Sequence, residues 1–423
     1  MTKPLNYDCW SSILDKMEAN KRFEISRQCP SLKKLEESLP LYIDHLKFEA
    51  GFGPHIMTIN GTTYTSGTVR VYPEGSQIPR WHQEENEEGG VVFDFGQFGF
   101  ADPQPPRHIH GIEEMSWIDF IYEEQNLHGL LRYMDFRRGR RASFPPTVDG
   151  AFYRENWRGL LEDIVESRNK LHIYYKRQDK SRVIYKPMSQ LKIESADGKK
   201  IIKKSSKRLH DCEGKLLKRL FGNRGTINVK CLEIDYPYHT SRFHSSLNFK
   251  FKIQELKIQF SYRNQFNSLQ QIIDPSCLPL KRLVLAAYLP VQEDYEHNLV
   301  KSAETLVISN IPRGYERLIN SLLQLPNRIV VVNQFDQCHI TCSTLIRRWI
   351  NQKRSIGTCW TFLVESGRTI SATMKEIEER GIRSSERCIN IRNDDDSMVR
   401  VSYEPSETEP VWVLKMEVVA VQV

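Results

Sequence analysis

The chain has 423 residues, enough for two or three domains and a substantial apolar core, so neither disulfides nor a structural metal is needed to hold it together. Hydrophobic residues make up 39% and charged residues 27%, globular proportions that exclude a disordered or fibrous chain. The 60 Lys and Arg against 53 Asp and Glu leave a net charge of +7, which falls short of a nucleic-acid binder's signature unless it is gathered on one face.

The nine cysteines are scattered and odd in number, and read as reduced core residues. The N-terminus carries no apolar stretch of signal-peptide length, and no run approaches the roughly 20 residues of a membrane span. The expectation is a cytoplasmic or nuclear protein without a membrane partner.

Residues 4 to 39 have a helical period. Trp10, Ile13, Leu14 and Met17 fall at i, i+3, i+4 and i+7, and Ile25, Cys29 and Leu32 continue the spacing after an interruption at Glu18 to Lys21. Pro30-Ser31 suits the start of a last short helix. So small a unit buries too little surface to stand alone, and must lean on the next domain or on a partner.

From 41 to 104 the period becomes two. Ile56 to Ile59 and Thr63 to Val71 flank Asn60-Gly61, the strongest short hairpin signal, because both central residues of a type I′ turn need positive φ. Glu84 to Gly90 reads as an acidic loop. From Ala101 to Thr147, five prolines (Pro103, Pro105, Pro106, Pro145 and Pro146) and the run Arg137 to Arg141 predict an irregular linker or insertion, bounded at 105–150. Phe152 to Asn169 predicts a helix.

Beyond it a short alternating segment recurs: Leu191-Lys-Ile193, Leu232-Glu-Ile234, Leu256-Lys-Ile258, Leu283-Val-Leu285, Leu306-Val-Ile308, Ile329-Val-Val331 and Trp360-Thr-Phe362. In the middle the spacing is roughly 23 to 27 residues, within the leucine-rich-repeat range. Helical stripes at Tyr315 to Leu325 and Ser343 to Gln352 lie between. Such βα units must stack to bury their apolar faces, and a stack offers an extended binding surface. An ordinary α/β domain with evenly spaced strands is the alternative. Thr373-Met-Lys-Glu376 offers a capping box for a helix ending at Gly381, and Met398 to Tyr403 with Val411 to Val421 predict a terminal hairpin.

Pro4-Leu5, the helix through Trp10, Ile13, Leu14 and Met17, and Arg22-Phe23-Glu-Ile25-Ser-Arg-Gln-Cys29-Pro-Ser-Leu32 resemble an F-box, with Pro and Leu in reversed order. Pro40-Leu-Tyr-Ile-Asp-His-Leu-Lys-Phe48, Asn60-Gly-Thr-Thr-Tyr64, Gly89-Gly90-Val-Val-Phe-Asp94, Phe98-Gly-Phe100 and Trp349-Ile-Asn-Gln-Lys-Arg-Ser-Ile-Gly357 extend the likeness to the nematode F-box C family and its domain of unknown function. The resemblance implies a substrate receptor: the N-terminal helices would hold a Skp-type adaptor of a cullin–RING ubiquitin ligase, and the remainder an unknown target protein. Pro4, Leu5, Trp10, Ile13, Leu14, Met17 and Phe23 are the adaptor-binding candidates, with the module's own core as their rival destination.

Chemistry is scarce. There is no phosphate-binding Gly-rich loop, nucleophile elbow or H-E-x-x-H helix, so no enzyme, catalytic residue or cofactor is expected. Cys338 with Cys342, His108 with His110, and Asp394 to Asp396 each lack the companions a metal site needs. The lysines at 199, 200, 203, 204 and 207 read as solvated, and no aromatics interleave as single-strand binding would require.

The expected class is α+β: a helical F-box-like unit (1–40), a β-rich module (41–104), the linker (105–150), a leucine-rich-like βα solenoid (151–390) and a hairpin cap (391–423). The expected function is a non-enzymatic interaction adaptor. A repeat module with a merely structural N-terminal cap, and a nucleic-acid binder, are the alternatives.

Overall fold

The computed structural model describes residues 7–49, 54–95, 185–235, 249–259, 265–286, 295–311, 316–335, 339–406 and 411–421, with a few positions between 123 and 171. Pro4, Leu5, His108, His110, Cys338 and most of the expected linker and of the helix at 152–169 lie outside them. In chain order the elements are α1 (Tyr7–Lys16), α2 (Ala19–Gln28), α3 (Lys33–Ser38), β1 (Leu41–Glu49), β2 (His55–Ile59), β3 (Thr62–Val71), α4 (Arg80–Glu88), β4 (Lys186–Glu194), β5 (Lys200–Ser205) and α5 (Leu209–Phe221). There follow β6 (Ile227–Ile234), β7 (Phe251–Ile258), α6 (Gln265–Ile272), β8 (Arg282–Ala286), α7 (Asn298–Ser302), β9 (Thr305–Ile311), α8 (Glu316–Leu323), β10 (Ile329–Phe335), α9 (His339–Ile350), β11 (Cys359–Val364) and α10 (Gly367–Glu378). The chain closes with β12 (Ile382–Ser385), β13 (Cys388–Arg392), β14 (Ser397–Pro405) and β15 (Trp412–Ala420). The class is α+β. Contacts divide the chain into two units, one of residues 1–49, 58–61 and 217–423, the other of 50–57 and 62–216.

In the first unit β1, β6, β7, β8, β9, β10 and β11 lie side by side in that order, all parallel. From β6 onward the strands begin at 227, 251, 282, 305, 329 and 359, so successive starts are 23 to 31 residues apart. A parallel neighbour needs a crossover, and α6 to α9 fall between the strands to provide it. Apolar side chains are in register: Leu41, Ile227 and Phe251 align, as do Leu46, Leu232 and Leu256, then Phe48, Ile234 and Ile258. All nine are at most 3% exposed.

The helices pack on that dry face. Trp349 of α9 meets Trp360 of β11 edge-on at 6.0 Å, and both are fully buried. Carbonyls left open where one βα unit ends are taken by polar side chains that precede the next strand. Asn327 Nδ2 donates to the carbonyls of Val300 and Ala303 at 2.8 and 2.9 Å. The Arg354 guanidinium donates to those of Leu323 and Leu325 at 2.6 and 2.9 Å, and lies 4.4 Å over the Trp360 ring. Burial lowers its pKa to about 10.

Asn60 and Gly61 both have positive φ, as the turn signal requires. The Asn60 side chain accepts from the amides of Asp44 and His45 at 2.9 and 3.0 Å, at the position where the β1–β6 register skips a pair. The cap expected at Thr373 is different in the structure. Ser366 caps α10 by accepting from the Thr369 amide at 3.3 Å, while Thr373 is fully buried mid-helix and bonds back to the Thr369 carbonyl. Gly367, which propensity discounts as a helix former, is where the helix begins. The terminal hairpin β14–β15 is present, and β15 runs antiparallel to β11, so it covers the end of the parallel series.

In the second unit β3, β4 and β5 form an antiparallel meander. Leu191 to Ile193, expected as a first repeat strand, therefore belongs to β4, opposite Tyr64 to Ser66. Alternation reports that a segment is half-buried, and it is silent on strand direction. Glu84 to Glu88, expected as a loop, is the end of α4, which Gly89 closes at φ 115°. Glu85 pairs with Arg70, whose guanidinium stacks 4.3 Å over Phe95. Beside them His82 meets the Tyr72 hydroxyl, and burial followed by the Arg70 charge pushes His82 down to about 3.

Candidate functional site: the helical head and the open sheet face

The head is α1 to α3. Glu18 caps α2, accepting from the amides of Asn20 and Lys21 at 2.8 and 3.2 Å. From α2, Arg22 reaches Glu36 of α3 at 3.0 Å. Arg224, three residues ahead of β6, donates both terminal nitrogens to the same carboxylate at 2.7 and 2.6 Å. The side chains of all three are 1% exposed. Further donations from the two arginines satisfy the carbonyls of Glu36, Pro40 and Leu220. Burial pulls the Arg22 guanidinium below its usual range; Glu36 opposes that fall and Arg224 adds to it. Two cations around one buried anion make a firm joint, because removing Glu36 would leave both guanidinium groups facing each other uncompensated in a dry site.

The adaptor-binding candidates separate on this frame. Leu14 is fully buried. Ile13 is 38% exposed, and Tyr7 at the start of the same helix 66%. Trp10, Met17 and Phe23 are half-buried, and Phe23 lies under the Arg224 guanidinium at 5.3 Å.

The sheet face opposite the helices has a graded surface. On β1, β6 and β7 it is charged and self-paired: Glu233 takes His45 at 3.1 Å and Lys47 at 3.3 Å, and Lys47 also reaches Glu49 at 2.7 Å. Burial disfavours the charged forms of Lys47 and Glu233, but it is outweighed on both: Glu49, then Glu233, raise the lysine, and Lys47 with hydrogen bonds from His45 and Gln259 lowers the Glu233 carboxylate. Burial likewise raises the Cys231 thiol, which keeps it protonated and unreactive. Next across the sheet come Val284, Val307, Val331 and Thr361 in one register row, Val307 buried at 1% and the other three half-buried, with Ile329 42% exposed one row away. On β15 charge returns as the Lys415–Glu417 pair at 3.0 Å. A β-branched strip between ion-paired flanks has the composition of a protein interface, apolar at its centre and polar at its rim.

Residues 208–366 match a domain of unknown function (DUF3557). No curated protein and no solved structure matches the chain. The DUF3557 span begins one residue before α5 and ends two residues after β11, so it takes in all six consecutive parallel strands and stops before the antiparallel cap.

β1 precedes the DUF3557 span, yet it continues the same ladder. A signal for it existed in the sequence. Leu41-x-Ile43-x-x-Leu46-x-Phe48, Ile227-x-Val229-x-x-Leu232-x-Ile234 and Phe251-x-Ile253-x-x-Leu256-x-Ile258 share one pattern, which aligning the segments by their first apolar residue exposes.

Among the described residues no group of three or more His, Cys, Asp and Glu is placed to hold a metal ion. In the second unit Ser66, His55 and Glu213 come together, but the Ser66 hydroxyl donates to Glu213 at 2.9 Å and His55 bonds the same carboxylate oxygen. The serine proton is thus directed to a carboxylate rather than to the imidazole, which is not the relay a serine nucleophile uses.

Proposed function

We propose that the chain is a non-enzymatic protein-interaction adaptor resembling an F-box substrate receptor, in which the head docks a Skp-type ligase adaptor and the open face of a leucine-rich-like ladder holds a target protein. The observation that carries it is the combination of two exposed apolar side chains on α1, Tyr7 and Ile13, with the buried Arg22–Glu36–Arg224 joint that ties α2 and α3 to the residues ahead of β6. A receptor must hold its target at a fixed distance and angle from the ligase. A head locked to β6 by desolvated charges meets that need, and a flexibly tethered one would not. Among the described residues no helix is long and apolar enough to cross a membrane. The receptor reading places the protein in the cytoplasm or the nucleus.

Affinity purification of the intact chain tests the proposal. The adaptor should be recovered with the parent protein and lost with Ile13→Asp, while the melting temperature of the variant stays within about 2 °C, since Ile13 is an exposed position. Retention of the adaptor by Ile13→Asp, or its absence from the parent preparation, refutes the docking role.

One observation favours a second reading. Leu14 is buried and Glu36 is committed to Arg224, as they would be in a cap that merely seals the first strand of a repeat module with no ligase link. That reading predicts target binding without any adaptor complex.

A further inference from the structure

The lysine-rich run that composition assigned to solvent lies on β5, at the outer end of the second unit's meander, where no further described strand pairs with it. Of its six residues Lys200, Ile202, Lys203 and Lys204 are exposed, and Ile202 is 50% exposed although apolar. Alternation puts Lys200, Ile202 and Lys204 on one face and Lys203 on the other. Glu194 engages Lys200 at 3.5 Å. Among the described residues the ion pairs of β4 and β5 join Glu194 to Lys192 and Lys200, and none reaches Lys203 or Lys204. The positive field continues past the strand, where Lys215 of α5 comes up against Lys207 and is held below the usual lysine range by that neighbour.

Lysines on an edge strand normally keep it from pairing with another edge, because a neutral or basic strand would have to desolvate or approach them. An acidic strand reverses the sign of that effect. It would gain the open backbone donors and acceptors of the edge, opposite charges on both faces, and a place for one apolar side chain. Nucleic acid fits less well, since the strand Lys-Ile-Ile-Lys-Lys-Ser offers no aromatic surface for a base. We propose that β5 accepts an extended acidic peptide as an added antiparallel strand, with carboxylates opposite Lys200, Lys203 and Lys204 and an apolar side chain opposite Ile202. The proposal uses no residue of the head, so it stands or falls independently of adaptor docking.

Fluorescence anisotropy with the full chain and a labelled peptide of core sequence Glu-Glu-Val-Thr-Glu tests it. Saturable binding is expected, weakened about tenfold or more by Lys203→Glu with Lys204→Glu, two exposed changes whose folding circular dichroism can check. Backbone N-methylation of alternate peptide residues discriminates strand addition from plain charge attraction, because alternate residues of an antiparallel strand turn their N–H groups toward and away from the partner. Methylation in one phase should abolish binding, and in the other leave it within about threefold. Equal binding of both phases and of a scrambled peptide, tighter binding of a single-stranded RNA of equal charge, or no peptide binding at all would each overturn the proposal.

Discussion

Replacing Glu36 by Gln removes one negative charge and almost no volume, which isolates the electrostatic role of the joint. In the folded chain the Glu36 carboxylate receives Arg22 at 3.0 Å, Arg224 at 2.7 and 2.6 Å and the Ser26 hydroxyl at 3.3 Å. With the amide in its place, one acceptor oxygen remains for two guanidinium groups, and the new NH2 faces a cation. Breaking a buried ion pair by removing one partner costs about 3–5 kcal/mol, and the surviving oxygen puts this case near the lower end, about 3 kcal/mol. The assay is urea unfolding followed by tryptophan fluorescence, for which Trp349 and Trp360, both fully buried in the first unit, are the reporters. With a slope of about 2–3 kcal/mol/M, the midpoint should fall by about 1–1.5 M. Arg224→Met in a double-mutant cycle with Glu36→Gln should be strongly non-additive, since the second change removes a cation that the first left stranded. A loss under about 0.5 kcal/mol for Glu36→Gln, or simple additivity, would mean that water reaches the triad and that the head is not locked by it.

Two further perturbations test other parts of the fold. Asn60→Ala removes the acceptor for the Asp44 and His45 amides, the donor to Glu18 at 2.9 Å and a residue that tolerates φ 46°, so a loss of about 1–3 kcal/mol is expected. Faster hydrogen exchange at the Asp44 and His45 amides would report it directly, and unchanged exchange would contradict it. His82 is 8% exposed and titrates near 3 when folded against 6.5 as a free side chain, so between those values the unfolded chain binds the extra proton. Stability conferred by the second unit should therefore be full above pH 6.5 and decline toward pH 3, at up to about 1.4 kcal/mol per pH unit. Thermal melts from pH 7 to 4 should show a shallower decline for His82→Gln than for the parent, and parallel curves would refute the assignment.

The divide between what composition and pattern decide and what tertiary structure decides falls at sequence separation. Local rules were sufficient wherever the cause is local. Period-two alternation located the strands at Leu232, Leu256, Leu283, Leu306, Ile329 and Trp360, the helical stripe located α9, and positive φ at Asn60-Gly61 followed from the residue types alone. The α+β class follows from those elements. Alternation also fixes which side chains face inward, but it does not say which strand lies alongside or in which direction. That is why β4 reads like a repeat strand yet runs antiparallel to β3, and why β1 reads like part of a separate module yet joins β6 across the residues between them. Helix ends were decided by competition rather than propensity: Ser366 won over Thr373 because burial of Ile370, Thr373 and Met374 extends α10 back by two turns. The joint itself was invisible in the linear chain. Arg22, Glu36 and Arg224 are ordinary surface-type residues in sequence, and only a fold that brings positions 188 residues apart within 2.7 Å makes a desolvated triad of them.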